Sequence, residues 1–263
     1  MNKAINGGLK MILIKRNIVS KRSLIHFFSP DSLEEKILSK ISDSNEIYDY
    51  KSVNQLIFEV NLRSNIINAA RELDASGFKF KTFKNSHCNP VYWERTKKGG
   101  FILRKDRDPS DAINDIFKQG YKYGTECSTA ITIVYYKAIL DIYPKELFDK
   151  TFPYLHLMNW HFIADNLDIV TYKYLLDYIP GDCRYVENPD YHPNTPELRG
   201  QNLIDLGDGS YYGHGTGIKT LDEVIDFLNR HRKDSASRSA FLKQSATRPN
   251  FLHLANIYLN YVT

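Results

Sequence analysis

The run "CSTAITIVYYKAIL", residues 127 to 140, constrains the fold most. It is apolar on nearly every side, and Pro144 follows closely behind it. A helix that is hydrophobic all round has to be covered on all its faces, so this segment predicts a buried central helix with other layers packed about it. A chain of 263 residues is long enough to enclose such a helix in a sizeable core.

Helical spacing predicts the neighbours. Ser32 with Glu35 has the pattern of a capping box ahead of "LEEKILSKI", and Ser52 caps a longer helix from about Val53 to Leu73, stopped near Gly77. "PSDAINDIFKQG" reads as a helix ending at Gly120, and Thr220 with Glu223 opens "LDEVIDFLNRHR". Strand signals come from "FKFKTF", from a strand-turn-strand around Gly99 and Gly100, and from the stretch around Tyr185. "NLIDLGDGSYYGHG" reads as a hairpin turning at Asp208-Gly209. Two-residue turning there sets residues 201, 203 and 205 on one face with 212 and 214. A three-residue turn breaks that arrangement. Helices come first and strands cluster late, which predicts an α+β fold. The reading is one catalytic domain over residues 1–263, with 1–40 an N-terminal extension packed on the core. The tail from Ser235 carries scattered apolar residues and no predicted element.

Charge and cysteine usage exclude several classes. The net charge is +4, from 35 basic and 31 acidic residues spread along the chain. The densest basic cluster, "NRHRK" at 229–233, reads as a solvated helix end, so no nucleic-acid partner is expected. Three cysteines without framework spacing argue against a disulfide scaffold and for a reducing compartment. No Cys/His spacing suits a structural metal, and none is expected. "MILIKRN" is too short and wrongly flanked for a secretion signal, and no apolar run approaches membrane length. Synthesis in the cytosol, with no membrane partner and no cofactor, is the expectation. Met11 offers an alternative start, which makes residues 1–10 a leader.

Candidate chemistry centres on Cys127. A cysteine on the first turn of a helix faces aligned N–H groups and the positive end of the dipole, which favours the thiolate. The same N–H groups can stabilise an oxyanion on an acyl group held by that sulfur. A buried core thiol at a helix start is the plain alternative. Cys88 and Cys183 open no helix. For a base, His214 in "YYGHGTG" stands out, because Gly213, Gly215 and Gly217 clear space around it. A cysteine on the central helix with a histidine on a following sheet is the layout of papain-like cysteine enzymes. His231 belongs to the basic helix end, and His156 and His161 flank Trp160. His87 beside Cys88 points another way on one turn.

"YGTECSTA…VYYKAIL", "LMNW", "GDCRYVENP", "RGQNLIDLG" and "YYGHGTGI", in this order, resemble the spore-coat transglutaminases of spore-forming bacteria, the protein-glutamine γ-glutamyltransferases. "FEVNLRSNIINAARELDASGFKFKTF" and "FLKQSATR" extend the resemblance over roughly residues 45 to 250. It implies a papain-like, or peptidoglycan-hydrolase-like, α+β core and activity without calcium. It also implies that Cys127 attacks a glutamine γ-carboxamide to form a thioester, and that His214 is the base. A lysine ε-amine then takes the acyl group to form an isopeptide crosslink. Trp160 and Phe80 would line a tunnel where the two side chains meet, although ordinary core packing also suits both. Spore coat proteins carrying reactive glutamine and lysine are the partners implied, and the spore surface is the implied destination. Where the family has a glutamate ahead of the histidine, this chain has Gln201, so Gln201 is expected to orient the ring while Glu126 supplies negative charge. A cysteine amidase or peptidase, or a weakly active coat scaffold, are the competing readings.

Overall fold

The structure is a computed structural model that describes residues 11–160 and 162–263, so the leader expected at 1–10 and His161 lie outside the described residues. Strands β1 (Met11–Ile14) and β2 (Asn17–Val19) form a hairpin, and β3 (Ile47–Tyr50) joins β1 in parallel after α1 (Leu33–Ser42). The sequence reading placed no strands here, since β1 and β3 meet across more than thirty residues and neither alternates for long. This segment reaches the main core through Ile12, Leu24, Ile37 and Leu38.

The long helix α2 (Val53–Ala75) starts where expected, with the Ser52 side chain accepting from Gln55 N. It ends before Gly77, whose φ of +81° suits a glycine C′ position. The predicted strand "FKFKTF" shrinks to β4 (Lys79–Phe80). Its partner β7 (Gly124–Thr125) offers only two residues before the chain turns into the nucleophile helix. That short parallel pair fixes Phe80 near Cys127. Between them, β5 (Trp93–Arg95) and β6 (Phe101–Leu103) form the predicted hairpin, and α3 (Pro109–Lys118) follows.

The central helix α4 (Cys127–Leu140) is buried along almost its whole length. It packs against α2, α3 and the large sheet, as its all-round apolar surface requires. After α5 (Lys145–Thr151), β8 (His156–Leu157) closes onto β6. The large antiparallel sheet then forms from β9 (Val170–Lys173), β10 (Cys183–Glu187), β11 (Gly200–Asp205), β12 (Ser210–Gly213) and β13 (Gly217–Thr220). Helix α6 (Leu221–Asn229) carries the complete Thr220/Glu223 capping box and covers a small separate apolar cluster. The tail left unassigned by sequence supplies β14 (Phe241–Leu242), β15 (Ser245–Arg248) and α7 (Phe251–Val262). The sheet order is β13-β12-β11-β10-β15-β9, with β14 also paired to β10.

The hairpin register decides between the two turns that the sequence allows. Leu203 pairs with Gly213, Ile204 with Tyr212 and Asp205 with Tyr211, and the Leu206 N–H donates to the Ser210 carbonyl. The turn therefore holds three residues, Gly207, Asp208 and Gly209, with both glycines at positive φ. That one-residue change moves Gln201 off the face of His214 and brings Asn202 onto it.

Candidate active site

Cys127 opens α4 half-buried at a cleft of about 800 Å³. Phe80 and Trp160 line this cleft, together with Glu126, Tyr185 and Asn202. The sheet brings Asn202 to the sulfur: its Nδ2 donates to Cys127 Sγ at 3.5 Å. Sequence reasoning did not single out Asn202, because only the three-residue turn puts it on this face.

Glu126 is the N-cap of α4. Its carboxylate accepts from Ser128 N at 2.8 Å and Thr129 N at 2.7 Å, and from both neighbouring hydroxyls. Thr129 Oγ1 in turn accepts from the Asn159 N–H at 2.7 Å, which ties the Trp160 wall to the helix start. The N–H groups expected to favour a thiolate are thus spent on Glu126. The thiol behaves accordingly. Burial, and then the Glu126 charge, push Cys127 up to about 11, against a downward pull from Asn202. The depressed value expected from the helix dipole is reversed, first by burial of the thiol and then by the charge one position upstream.

His214 sits behind the cleft wall, 3% exposed, and no hydrogen bond joins its ring to Cys127. Nε2 lies 3.2 Å from the Lys79 carbonyl, which can only accept, so Nε2 carries the proton. Nδ1 is then bare and accepts from the Tyr212 hydroxyl at 3.1 Å. The ring stacks on Phe78 at 4.8 Å and tilts against Phe80 at 6.0 Å. The glycine beside it serves Phe80 as well. A Cβ on Gly215, whose φ is +101°, would stand 3.0 Å from the Phe80 ring. Gln201 is buried and donates from Nε2 to the His214 backbone carbonyl at 2.9 Å. It steadies the chain at His214 and does not orient the imidazole.

Burial keeps His214 neutral, bringing its pKa down to about 4 from 6.5. The unfolded chain binds a proton there at a higher pH than the folded one. Stability contributed by the neutral ring is therefore complete above pH 6.5 and is lost as pH falls to about 4, on the order of 3 kcal/mol. In urea unfolding, His214→Gln should lose clearly less stability than the parent across that window. An equal loss would show that the buried ring does not carry the effect.

Among the described residues no three His, Cys, Asp or Glu side chains converge on a possible metal position. No helix there is long and apolar enough to cross a membrane.

A cysteine at the head of a buried helix, facing an antiparallel sheet across an aromatic-walled cleft, defines a papain-like cysteine enzyme. The model of the family described as protein-glutamine γ-glutamyltransferase matches residues 11–258. Protein-glutamine γ-glutamyltransferases of Bacillus cereus (strain AH820) and Bacillus anthracis (strain CDC 684 / NRRL 3495) are each 46% identical over 237 residues, covering 88% of this chain and 85% of theirs. A solved transglutaminase from Geobacillus stearothermophilus, without its C-terminal extension, superposes with a TM-score of 0.75 at 46% identity. That match covers 78% of this chain and 97% of the other. The chain belongs to the protein-glutamine γ-glutamyltransferase family and is a transferase.

Proposed function

We propose that this protein crosslinks proteins by moving the γ-acyl group of a glutamine onto a lysine ε-amine, through a thioester on Cys127. The observation that carries this reading is the Cys127 sulfur, bonded by Asn202 and opening into a cleft walled by Phe80 and Trp160. The sulfur attacks the γ-carbonyl carbon while its proton passes to Glu126, the carboxylate adjacent in the chain. The tetrahedral adduct collapses, the C–N bond breaks, and the proton leaves with ammonia. A neutral lysine amine then attacks the thioester and gives a proton to Glu126. Sulfur departs and is reprotonated as the isopeptide bond forms.

Glu126 is preferred to His214 because the imidazole has both nitrogens engaged away from the sulfur. The Ser128 hydroxyl lies 2.9 Å and 2.8 Å from the two carboxylate oxygens, and one hydrogen serves only one of them at a time. Rotation of that hydroxyl frees an acceptor position for the thiol proton. Phe80 and Trp160 keep water scarce at the thioester, which favours amine over hydrolysis. On the motif resemblance the proposal extends to calcium independence and predicts unchanged turnover in a calcium chelator. Spore coat proteins are the proposed substrates and the spore surface the proposed location, on the motif resemblance.

The reading is tested with a glutamine-bearing protein and a labelled primary amine. Amine incorporation that Cys127→Ala abolishes is the expected result. Ammonia release without incorporation would replace the reading with a hydrolase, and binding without either with a scaffold.

A further inference from the structure

We propose that Asn202 is a catalytic residue of this site, its carboxamide N–H donating to the negative charge that forms on Cys127 and on the acyl oxygen held there. The proposal rests on the reading of Cys127 as nucleophile and goes beyond it by identifying the group that stabilises charge at the sulfur.

The cysteine has no imidazolium to stabilise a thiolate, since His214 is neutral and turned to Lys79 and Tyr212. Its helix gives it less than the usual help, because the Ser128 and Thr129 N–H groups point at Glu126. The nearby charge on Glu126 works against an anion on the sulfur. Besides the backbone N–H of Cys127 itself, the group that favours an anion there is Asn202, whose Nδ2 already lies 3.5 Å from Sγ. Strand β11 aims it there through the three-residue turn, and β10 supports it from the other side, with Tyr185 paired to Asn202. A neutral amide suits this position. It donates to a thiolate or an oxyanion, and it neither titrates nor repels the arriving glutamine.

The titratable groups facing the sulfur are few. Glu126 lies beside it on α4, Cys183 and Tyr185 on β10, and Tyr212 on β12. Burial raises the last three above their ordinary values, so they stay uncharged at pH 8. Lys173, Arg199, Lys243 and Glu197 also line the cleft. Glu126 is unchanged in an Asn202 variant, so a shift in the thiol's pH profile reports the loss of the amide.

The test pairs Asn202→Ala with Asn202→Asp in the full chain and reads two quantities. The first is the pH profile of iodoacetamide alkylation at Cys127, measured by peptide mapping. The second is amine incorporation, as kcat and KM. For Asn202→Ala, alkylation at pH 8 should slow by roughly tenfold, as for a thiol pKa one unit higher. Its kcat should fall by roughly 10²–10³ while KM moves little. Asn202→Asp keeps the shape but replaces the donor with a second carboxylate, and should be as slow or slower in both. Thermal unfolding of both variants near the parent confirms that they fold. An Asp variant that works like the parent, or an Ala variant with an unshifted alkylation profile, overturns the role. Neither outcome touches the nucleophile, whose failure would appear as incorporation surviving in Cys127→Ala.

Discussion

Glu126→Gln should slow amine incorporation by roughly 10²–10⁴ in kcat, the usual range for loss of a positioned proton acceptor. The same change should make Cys127 easier to alkylate. The two effects point in opposite directions, and that is what makes the variant decisive. The Glu126 charge raises the thiol's pKa, so removing it enlarges the thiolate fraction at neutral pH. Glutamine retains an oxygen to cap the Ser128 and Thr129 N–H groups, so α4 should still start at residue 127. If Glu126 were only an unfavourable charge beside the sulfur, alkylation and turnover would both rise. Faster alkylation with slower turnover assigns the proton transfer to Glu126.

The second large effect is on stability. Asp182 is fully buried one residue before Cys183. Its Oδ1 accepts from Arg63 Nη1 at 2.8 Å and Arg248 Nε at 2.6 Å, and its Oδ2 from Arg248 Nη2 at 2.6 Å and from Ile179 N at 3.0 Å. Arg63 also bonds Glu59, which accepts from the Tyr50 hydroxyl. Two acids and two guanidinium groups balance here, joining α2, β3, β10 and the end of β15. Burial opposes the charge on Asp182, but Arg63 and Arg248 hold its carboxyl below the usual range.

Asp182→Ala leaves two buried cations with one acid between them. The expected loss is roughly 3–5 kcal/mol, a large share of the 5–15 kcal/mol typical of a folded domain. Thermal unfolding should move down by on the order of 10 °C. The stabilisation in the parent is present above the unfolded carboxyl pKa and is lost as pH falls below it, so parent and variant should converge in acid. A loss under about 1 kcal/mol would mean that Glu59 or water takes over the guanidinium groups.

The parts of the molecule legible in its sequence are those set by local pattern. Cys127–Leu140 had to be a buried helix, because no exposed face could be drawn on it. Ser52, Gly77, Thr220 and Glu223 marked helix ends through caps that work over three or four residues. The illegible parts depend on partners distant in sequence or on one residue of register. The parallel pairing of β1 with β3, and the edge strand β9 on β15, carry little periodicity of their own. Helix α7 buries Phe251, Leu254 and Ala255 behind the Asn250 cap, a short pattern set among scattered apolar residues.

At the site, the cysteine, the aromatic walls and the neighbouring glutamate were named from motif and resemblance, and the structure brings all of them to one cleft. The sheet residues depend on a single step of register that the sequence leaves open. "GDG" can turn with two residues or with three, and the third puts Asn202 where the two-residue turn would set Gln201. The thiol's protonation is not legible for a related reason, since it depends first on burial and then on the carboxylate immediately before it, which takes the Ser128 and Thr129 N–H groups.

The central claim is that Cys127 carries the acyl group, and trapping that adduct tests it most directly. The protein is incubated with a glutamine donor peptide in the absence of amine, quenched in acid, and examined by intact mass and peptide mapping. The account predicts an adduct of the donor less one ammonia, confined to the peptide containing Cys127, released by hydroxylamine and absent from Cys127→Ala. An adduct on another residue, or amine incorporation that persists in Cys127→Ala, would contradict it.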